Sequence, residues 1–178
     1  MAPVFIVDLP LRFQLRYDPL FLELGWRIAH TSWGALSGVS IQGSCDGSRS
    51  RSEVLSFLLY LFGLPSQKPI YQTSASLAHL IALYPTFGMQ ALLTIVPEMD
   101  RPVSLWGSLS FTNGTQVEFR YGQDYFIGVS VEEGSLYHCP FPEGDPSLYF
   151  RGDYRRGRQI VSEELEIQVA ALLQSLGI

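Results

Sequence analysis

Between residues 103 and 139 the chain alternates apolar with polar or small side chains, and this period of two restricts the fold more than any other feature. Val103, Leu105, Leu109 and Phe111 share one face of an expected strand. Val117, Phe119 and Tyr121 alternate with Gln116, Glu118 and Arg120 on a second. Thr112-Asn113-Gly114 joins them. A two-residue Asn-Gly turn would oppose Phe111 to Gln116 and mix apolar with charged side chains on one face. A three-residue loop with Gly114 left-handed opposes Leu109 to Val117 and Leu105 to Tyr121, so the faces agree. It also sets Phe119 over Gly107, where a ring covers the gap a glycine leaves. Residues 125–132 and 135–139, joined at Glu133-Gly134, repeat the device, and together these segments predict a four-stranded antiparallel meander.

The flanking segments are read by the same criteria. Val4–Val7 is a short apolar strand. Residues 11–17 alternate Leu11, Phe13, Leu15 and Tyr17 with Arg12, Gln14 and Arg16, which predicts a second strand. Asp18-Pro19 is a good helix start, yet Leu20, Leu22, Leu24, Trp26 and Ile28 alternate without a slip, so the pattern predicts a strand there too. A further strand is expected at 37–42. Ser50-Arg51-Ser52-Glu53 has the capping-box pattern, serine followed three residues on by glutamate, which predicts a helix to Leu61 or Phe62. Leu77, Leu80, Ile81 and Tyr84 form a helical stripe over 74–84, and 90–96 is an apolar strand. Ser162, Glu163 and Glu164 open a last helix with Leu165, Val169, Leu172, Leu173 and Leu176 on its apolar side. The expected architecture is α+β: a mainly antiparallel sheet with a central four-stranded meander and about three helices packed on one face, in a single domain over 1–178.

Composition narrows the function classes. With 47% hydrophobic and 16% charged residues the chain can bury a substantial core. A net charge of −5 argues against nucleic-acid binding, which needs a basic face. The amino terminus has no basic leader, and the apolar run 54–64 is too short to span a bilayer. A cytoplasmic protein is expected. Cys45 and Cys139 are the two cysteines, in no metal-ligand spacing; free thiols are the expectation, with a disulfide left open.

No zinc signature, zincin helix or phosphate loop occurs, and no cofactor or metal is expected. Gly38-Val39-Ser40-Ile41-Gln42 begins like a nucleophile elbow but lacks its second glycine. His138 and Cys139 are neighbours, which on a strand places them on opposite faces. Glu143, Asp145 and Asp153 lack the spacing of a calcium loop. The arginines are more informative. Arg151, Arg155, Arg156 and Arg158, interleaved with Tyr149, Phe150 and Tyr154, combine the residue types that anchor interfaces and grip phosphate or carboxylate. Their alternative is a solvated basic loop. Arg49 and Arg51, ahead of a helix, are a second candidate for an anion or a partner.

Two resemblances carry implications. The order of elements from Thr73 onward, a helix, antiparallel strands and an acidic-capped last helix, resembles small bacterial immunity proteins that neutralise secreted toxins. The tail from Glu164 to Gln174, with lysine occurring only at Lys68, is similar to the amino-terminal domain of foamy-virus Gag proteins. The expectation is a non-catalytic protein–protein binding module, foremost a toxin-neutralising immunity protein. A viral or multi-subunit assembly protein joined through its last helix, and a small thiol- or histidine-dependent enzyme, are the alternatives. The expected partner is another protein, either a toxin, an assembly subunit or a second copy of the chain, with neither nucleic acid nor membrane involved.

Overall fold

The structure, a computed structural model, describes residues 11–30, 33–97, 103–122, 126–130, 136–138 and 163–178. The chain opens with two helices, α1 (Leu11–Tyr17) and α2 (Pro19–Ala29). Both segments were expected to be strands, and the correction has a local cause. Asp18 accepts a hydrogen bond from the Leu20 amide at 3.0 Å on its carboxylate and one from Leu22 at 2.9 Å on its carbonyl. It is thus a cap, and Pro19 supplies a preset φ at the first helical position. Leu20, Leu24 and Ile28 satisfy helical spacing as well as alternation, whereas Phe21 fits only the helix; Leu20, Phe21 and Leu24 are buried in the core. The strand expected at Val4–Val7 lies outside the described residues.

Strand β1 (Leu36–Cys45) leads into α3 (Ser48–Phe62). Five strands follow: β2 (Ile70–Thr73), β3 (Leu77–Leu83), β4 (Gly88–Ile95), β5 (Val103–Phe111) and β6 (Gln116–Tyr121). Then come β7 (Phe126–Ser130), β8 (Leu136–His138) and the last helix, α4 (Glu163–Ser175). The helix expected over 74–84 is instead β3. Leucine and alanine favour a helix locally, but Ala78, Leu80 and Ala82 are fully buried in alternation between β2 and β4. Tertiary pairing outweighs a propensity difference of a few tenths of a kcal/mol per residue.

The described strands form one eight-stranded sheet in the order β2-β3-β4-β1-β5-β6-β7-β8. Its centre is mixed: β1 runs parallel to β4 and antiparallel to β5. The expected fold class, a mainly antiparallel sheet built around a central meander with about three helices, is therefore corrected. Strands β5 to β8 do follow one another antiparallel, but they make one flank. The centre is the β1–α3–β4 unit, a crossover that returns to the parallel neighbour with a hairpin inserted. Four helices are described where three were expected.

The β5–β6 hairpin has the expected register, with Leu109 opposite Val117, Leu105 opposite Tyr121 and Phe119 opposite Gly107. Gly114 sits at φ 85°, and Thr115 donates to the Asn113 side chain at 3.1 Å. One face of the sheet is covered. Phe21 of α2 packs edge-on against Phe57 of α3 at 4.7 Å and Phe119 of β6 at 5.6 Å between ring centroids. Helix α3 lies over β1 and β4, and α1 and α4 pack against α3. Arg16 of α1, only 7% exposed, donates to Glu166 of α4 at 2.9 Å and lies over the Tyr60 ring at 4.8 Å. In α4 the expected stripe holds, with Val169 fully buried and Leu165, Leu172, Leu173 and Leu176 packed against the core; its expected cap, Ser162, lies outside the described residues.

Candidate functional site

Ligands of open sheets collect outside the carboxyl ends of parallel strands, where helix amino termini point. Here that place is the turn from Cys45 to α3. The expected capping box does not form. The cap residue is Gly47, no side chain caps it, and Ser50 lies inside the first turn, its hydroxyl donating to the Asp46 carboxylate. Glu53 accepts from the Arg12 amide at 3.2 Å and from Arg49 Nε at 3.3 Å. The glutamate therefore caps α1 from a distance instead of its own helix. Sequence pattern cannot foresee that competition, because Arg12 and Glu53 are 41 residues apart.

The two expected binding residues in this region separate. Arg49 is 87% exposed and pairs with Glu53, a surface contact of little energetic weight. Arg51 reaches across to β2, where its Nη1 donates to Thr73 Oγ1 at 2.7 Å. Its Nε is enclosed without a hydrogen-bond partner among the described residues, as is the hydroxyl of Tyr71, which shares Thr73's face of β2. An enclosed unpaired N–H is costly, so Arg51 is the guanidinium here with unsatisfied binding capacity. Arg151, Tyr154, Arg155, Arg156 and Arg158, like Cys139, Glu143, Asp145 and Asp153, lie outside the described residues.

Cys45 is fully buried, its thiol facing the carbonyls of Gly47 at 3.6 Å and Thr94 at 3.8 Å. Burial pushes that thiol above its ordinary value of 9.0, outweighing the Gly47 contact and the nearby Arg51, both of which lower it. A buried, protonated sulfur is no nucleophile. Tyr84, stacked on Phe87 at 4.3 Å and donating to the Gly63 carbonyl at 3.0 Å, is likewise pushed up by burial from 10.0. Both folded values exceed the unfolded ones. The stabilisation is therefore complete below about pH 9 and is lost as pH climbs through the folded values. The melting temperature is expected to be flat from pH 7 to 8.5 and to fall beyond pH 9.5. In native buffer at pH 8, Cys45 should stay unlabelled by iodoacetamide, as read by mass spectrometry of its peptide. Labelling at the rate of a free thiol would contradict this burial.

Among the described residues no group of three His, Cys, Asp or Glu side chains could hold a metal ion. None of their helices is long and apolar enough to cross a membrane.

The second feature is the other face of the sheet, which sequence reasoning missed. None of the helices whose packing is described above lies on it. Across it run Ser40 beside Ser108 and Gln90, Gln42 beside Trp106, and Gly38 beside Gly88 and Ser110. Trp106 is 44% exposed and Leu83 48%. A shallow trough of about 410 Å³ opens there, with Gly38 and Gly88 in its floor and Ser40, Gln90, Ser108 and Ser110 around it. The available signal was the serine alternation in β5 and the glycine at position 38 within β1.

Neither a family model nor a curated protein matches the sequence. Solved structures do match the fold. A Thermotoga maritima protein assigned as an oxidoreductase aligns with a TM-score of 0.61 at 13% identity, over 89% of this chain and 57% of its own. A dehydrogenase from Chromobacterium violaceum aligns at 0.58 and 11%, over 93% and 57%. One from Clostridium difficile aligns at 0.56 and 9%, over 90% and 58%. The chain thus spans a little under three-fifths of the length of these proteins. Its fold is one shared by solved oxidoreductases and dehydrogenases. That overturns the expectation of a toxin-neutralising immunity protein, together with the inhibitor and self-assembling viral readings attached to it. The immunity-protein resemblance rested on an order of elements opening with a helix over 74–84, where the structure has β3.

A dehydrogenase fold implies a nicotinamide dinucleotide, and the residues here do not fit one. The dinucleotide turn needs three glycines within six residues after a parallel strand, then an acid about twenty residues on for the ribose. The turn from Cys45 to Ser50 has one glycine, Gly47, and no Asp or Glu occurs from Val54 to Pro97.

Proposed function

We propose that this chain is the substrate-side domain of a dehydrogenase-type oxidoreductase, and that dinucleotide binding belongs to a separate domain. The observation that carries the reading is the fold likeness: about nine-tenths of this chain aligns with a little under three-fifths of several such proteins. The missing glycine turn agrees with it. Within the domain we assign Arg51 to an anionic group of the substrate, a carboxylate or phosphate, since it is donor-only and holds an unpaired enclosed N–H. Arg49 and the arginines of 151–158 are secondary candidates for the same role. A reducing cytoplasm suits the free, buried Cys45.

The test is calorimetry and thermal unfolding with NADH, NADPH and a panel of 2-hydroxy acids, 2-oxo acids and sugar phosphates. The dinucleotides should give no saturable heat. At least one anionic hydroxy or oxo compound should stabilise the fold, by roughly 2.7 kcal/mol at about a hundred times its Kd. Arg51→Met should abolish that shift. Tight NADH binding to the chain would overturn the assignment of the nucleotide to another domain. A panel without any stabilising compound would overturn the substrate-side assignment.

A further inference from the structure

Strand β2 is the outermost described strand at one edge of the sheet. Its Tyr71 pairs with Leu80 and its Thr73 with Ala78, both fully buried, so Tyr71 and Thr73 stand on the helix-covered face. Arg51 of α3 reaches that face, its Nη1 donating to Thr73 Oγ1 at 2.7 Å. The Thr73 proton turns back to its own loop, to the carbonyl of Leu77 at 3.2 Å or of Ser74 at 3.3 Å, so toward Arg51 the hydroxyl is an acceptor. Two donors stay unmatched among the described residues, Arg51 Nε and the Tyr71 hydroxyl, and both are enclosed. Residues two apart on a strand are separated by about 7 Å. The guanidinium held at Thr73 and the Tyr71 ring therefore occupy adjoining places, and two enclosed donors left unpaired there are costly unless something accepts from them.

We propose, resting on the reading of this chain as a substrate-side domain, that Tyr71 joins Arg51 in one binding site and that the group they take is a carboxylate. A guanidinium offers two forks, Nη1 with Nη2 at its end and Nε with Nη2 along its side. Thr73 occupies Nη1, which closes the end fork. The side fork remains, and its two parallel N–H groups match the two oxygens of a carboxylate. Each oxygen keeps a lone pair after that contact, and the Tyr71 hydroxyl donates to one of them. A carboxylate at neutral pH only accepts, so every contact pairs a donor with an acceptor.

Charge favours a carboxylate over a phosphate. Arg51 supplies one positive charge, and Asp46, whose carboxylate accepts from Ser50, lies with Arg51 near the Cys45 thiol. Arg49, two residues away, is 87% exposed and already paired with Glu53. A phosphate dianion would meet one guanidinium beside a carboxylate and leave an excess of negative charge in a partly desolvated place, whereas a monoanion is balanced by Arg51 alone. Gln72 and Thr73 are exposed and Arg51 and Tyr71 partly buried, so the pair lies one side chain beneath the surface at an edge that no further described strand covers.

Calorimetry and thermal unfolding of the full chain at constant ionic strength test it, with acetate, lactate and pyruvate set against inorganic phosphate and glucose 6-phosphate. At least one carboxylate should bind, at least tenfold more tightly than either phosphate. Tyr71→Phe should weaken that binding at least fivefold, and Arg51→Lys, which keeps the charge but loses the fork, at least tenfold. Without ligand, Tyr71→Phe should melt no lower than the parent, because it deletes an enclosed hydroxyl that has no partner; a hydroxyl serving the fold would give a lower melting point. A preference for phosphate, or a carboxylate bound equally well by the parent and Tyr71→Phe, overturns this inference and leaves the substrate-side reading standing. Binding of none of the five probes overturns the carboxylate assignment, whereas tight NADH binding overturns the reading beneath it. If one variant fails to fold, the other decides.

Discussion

Gly107→Val is expected to destabilise the protein by at least about 3 kcal/mol, the upper end of ordinary overpacking and a large share of a typical 5–15 kcal/mol total. A Cβ at this position would lie 2.0 Å from Cε1 and 2.3 Å from Cζ of Phe119. That ring is fully buried and has no room to retreat, because Phe21 meets it edge-on at 5.6 Å and Phe21 itself leans on Tyr121 at 5.2 Å. Relief requires moving α2 or opening the β5–β6 ladder. Urea denaturation followed by circular dichroism measures the loss. The double variant Gly107→Ala with Phe119→Leu should recover part of it, since the two sites share one volume and cannot behave additively. A Gly107→Val protein as stable as its parent would mean that Phe119 does not stand over residue 107 in solution.

Phe57→Ala should cost about 3–5 kcal/mol, the range for emptying a large aromatic site in a core. Phe57 is 1% exposed at the centre of α3, in a run of six buried residues, and meets Phe21 edge-on at 4.7 Å. It therefore links α3 to α2, and through Phe21 to the sheet at Phe119. The helix is held on its flanks by α1 and α4, which limits collapse into the vacated space and keeps the cost high. The check is the denaturation midpoint of Phe57→Ala against that of Phe57→Leu. Leucine refills most of the volume and should lose clearly less. Equal losses in the two variants would mean the effect comes from something other than cavity volume.

How much of this fold could be read beforehand depended on where the deciding interaction lay. In the β5–β6 hairpin the alternation, the Asn-Gly loop and the Phe119–Gly107 match are all local, and they fix one register because a one-residue slip would turn every apolar side chain to water. Helix α3 was expected from a capping box that does not form, so its presence was legible but its start was not, while α4 was legible from its acidic first turn and leucine stripe. Residues 11–29 were not, since the same leucines satisfy a period of two and a period of 3.6. The carboxylate of Asp18, bonded to the Leu20 amide, resolves that ambiguity in favour of helix. The candidate sites divide in the same way. Arg51 stood out as an arginine ahead of a helix, but that it reaches Thr73 while Arg49 folds back on Glu53 follows from the placement of β2 beside α3.

What the sequence by itself determined is therefore the set of segments whose local patterns have one solution: the β5–β6 hairpin, α3, α4 and the apolar character of β1 and β4. What only the tertiary structure decided is the choice of strand over helix at 77–83, and the parallel pairing of β1 with β4. It also decided that one face of the sheet is buried beneath helices while the other keeps Trp106, Gly38 and Gly88 toward solvent. The physical reason is common to all of these. Burial is a property of the partners that arrive from elsewhere in the chain, and a leucine or glycine carries the same local signal whichever partner comes.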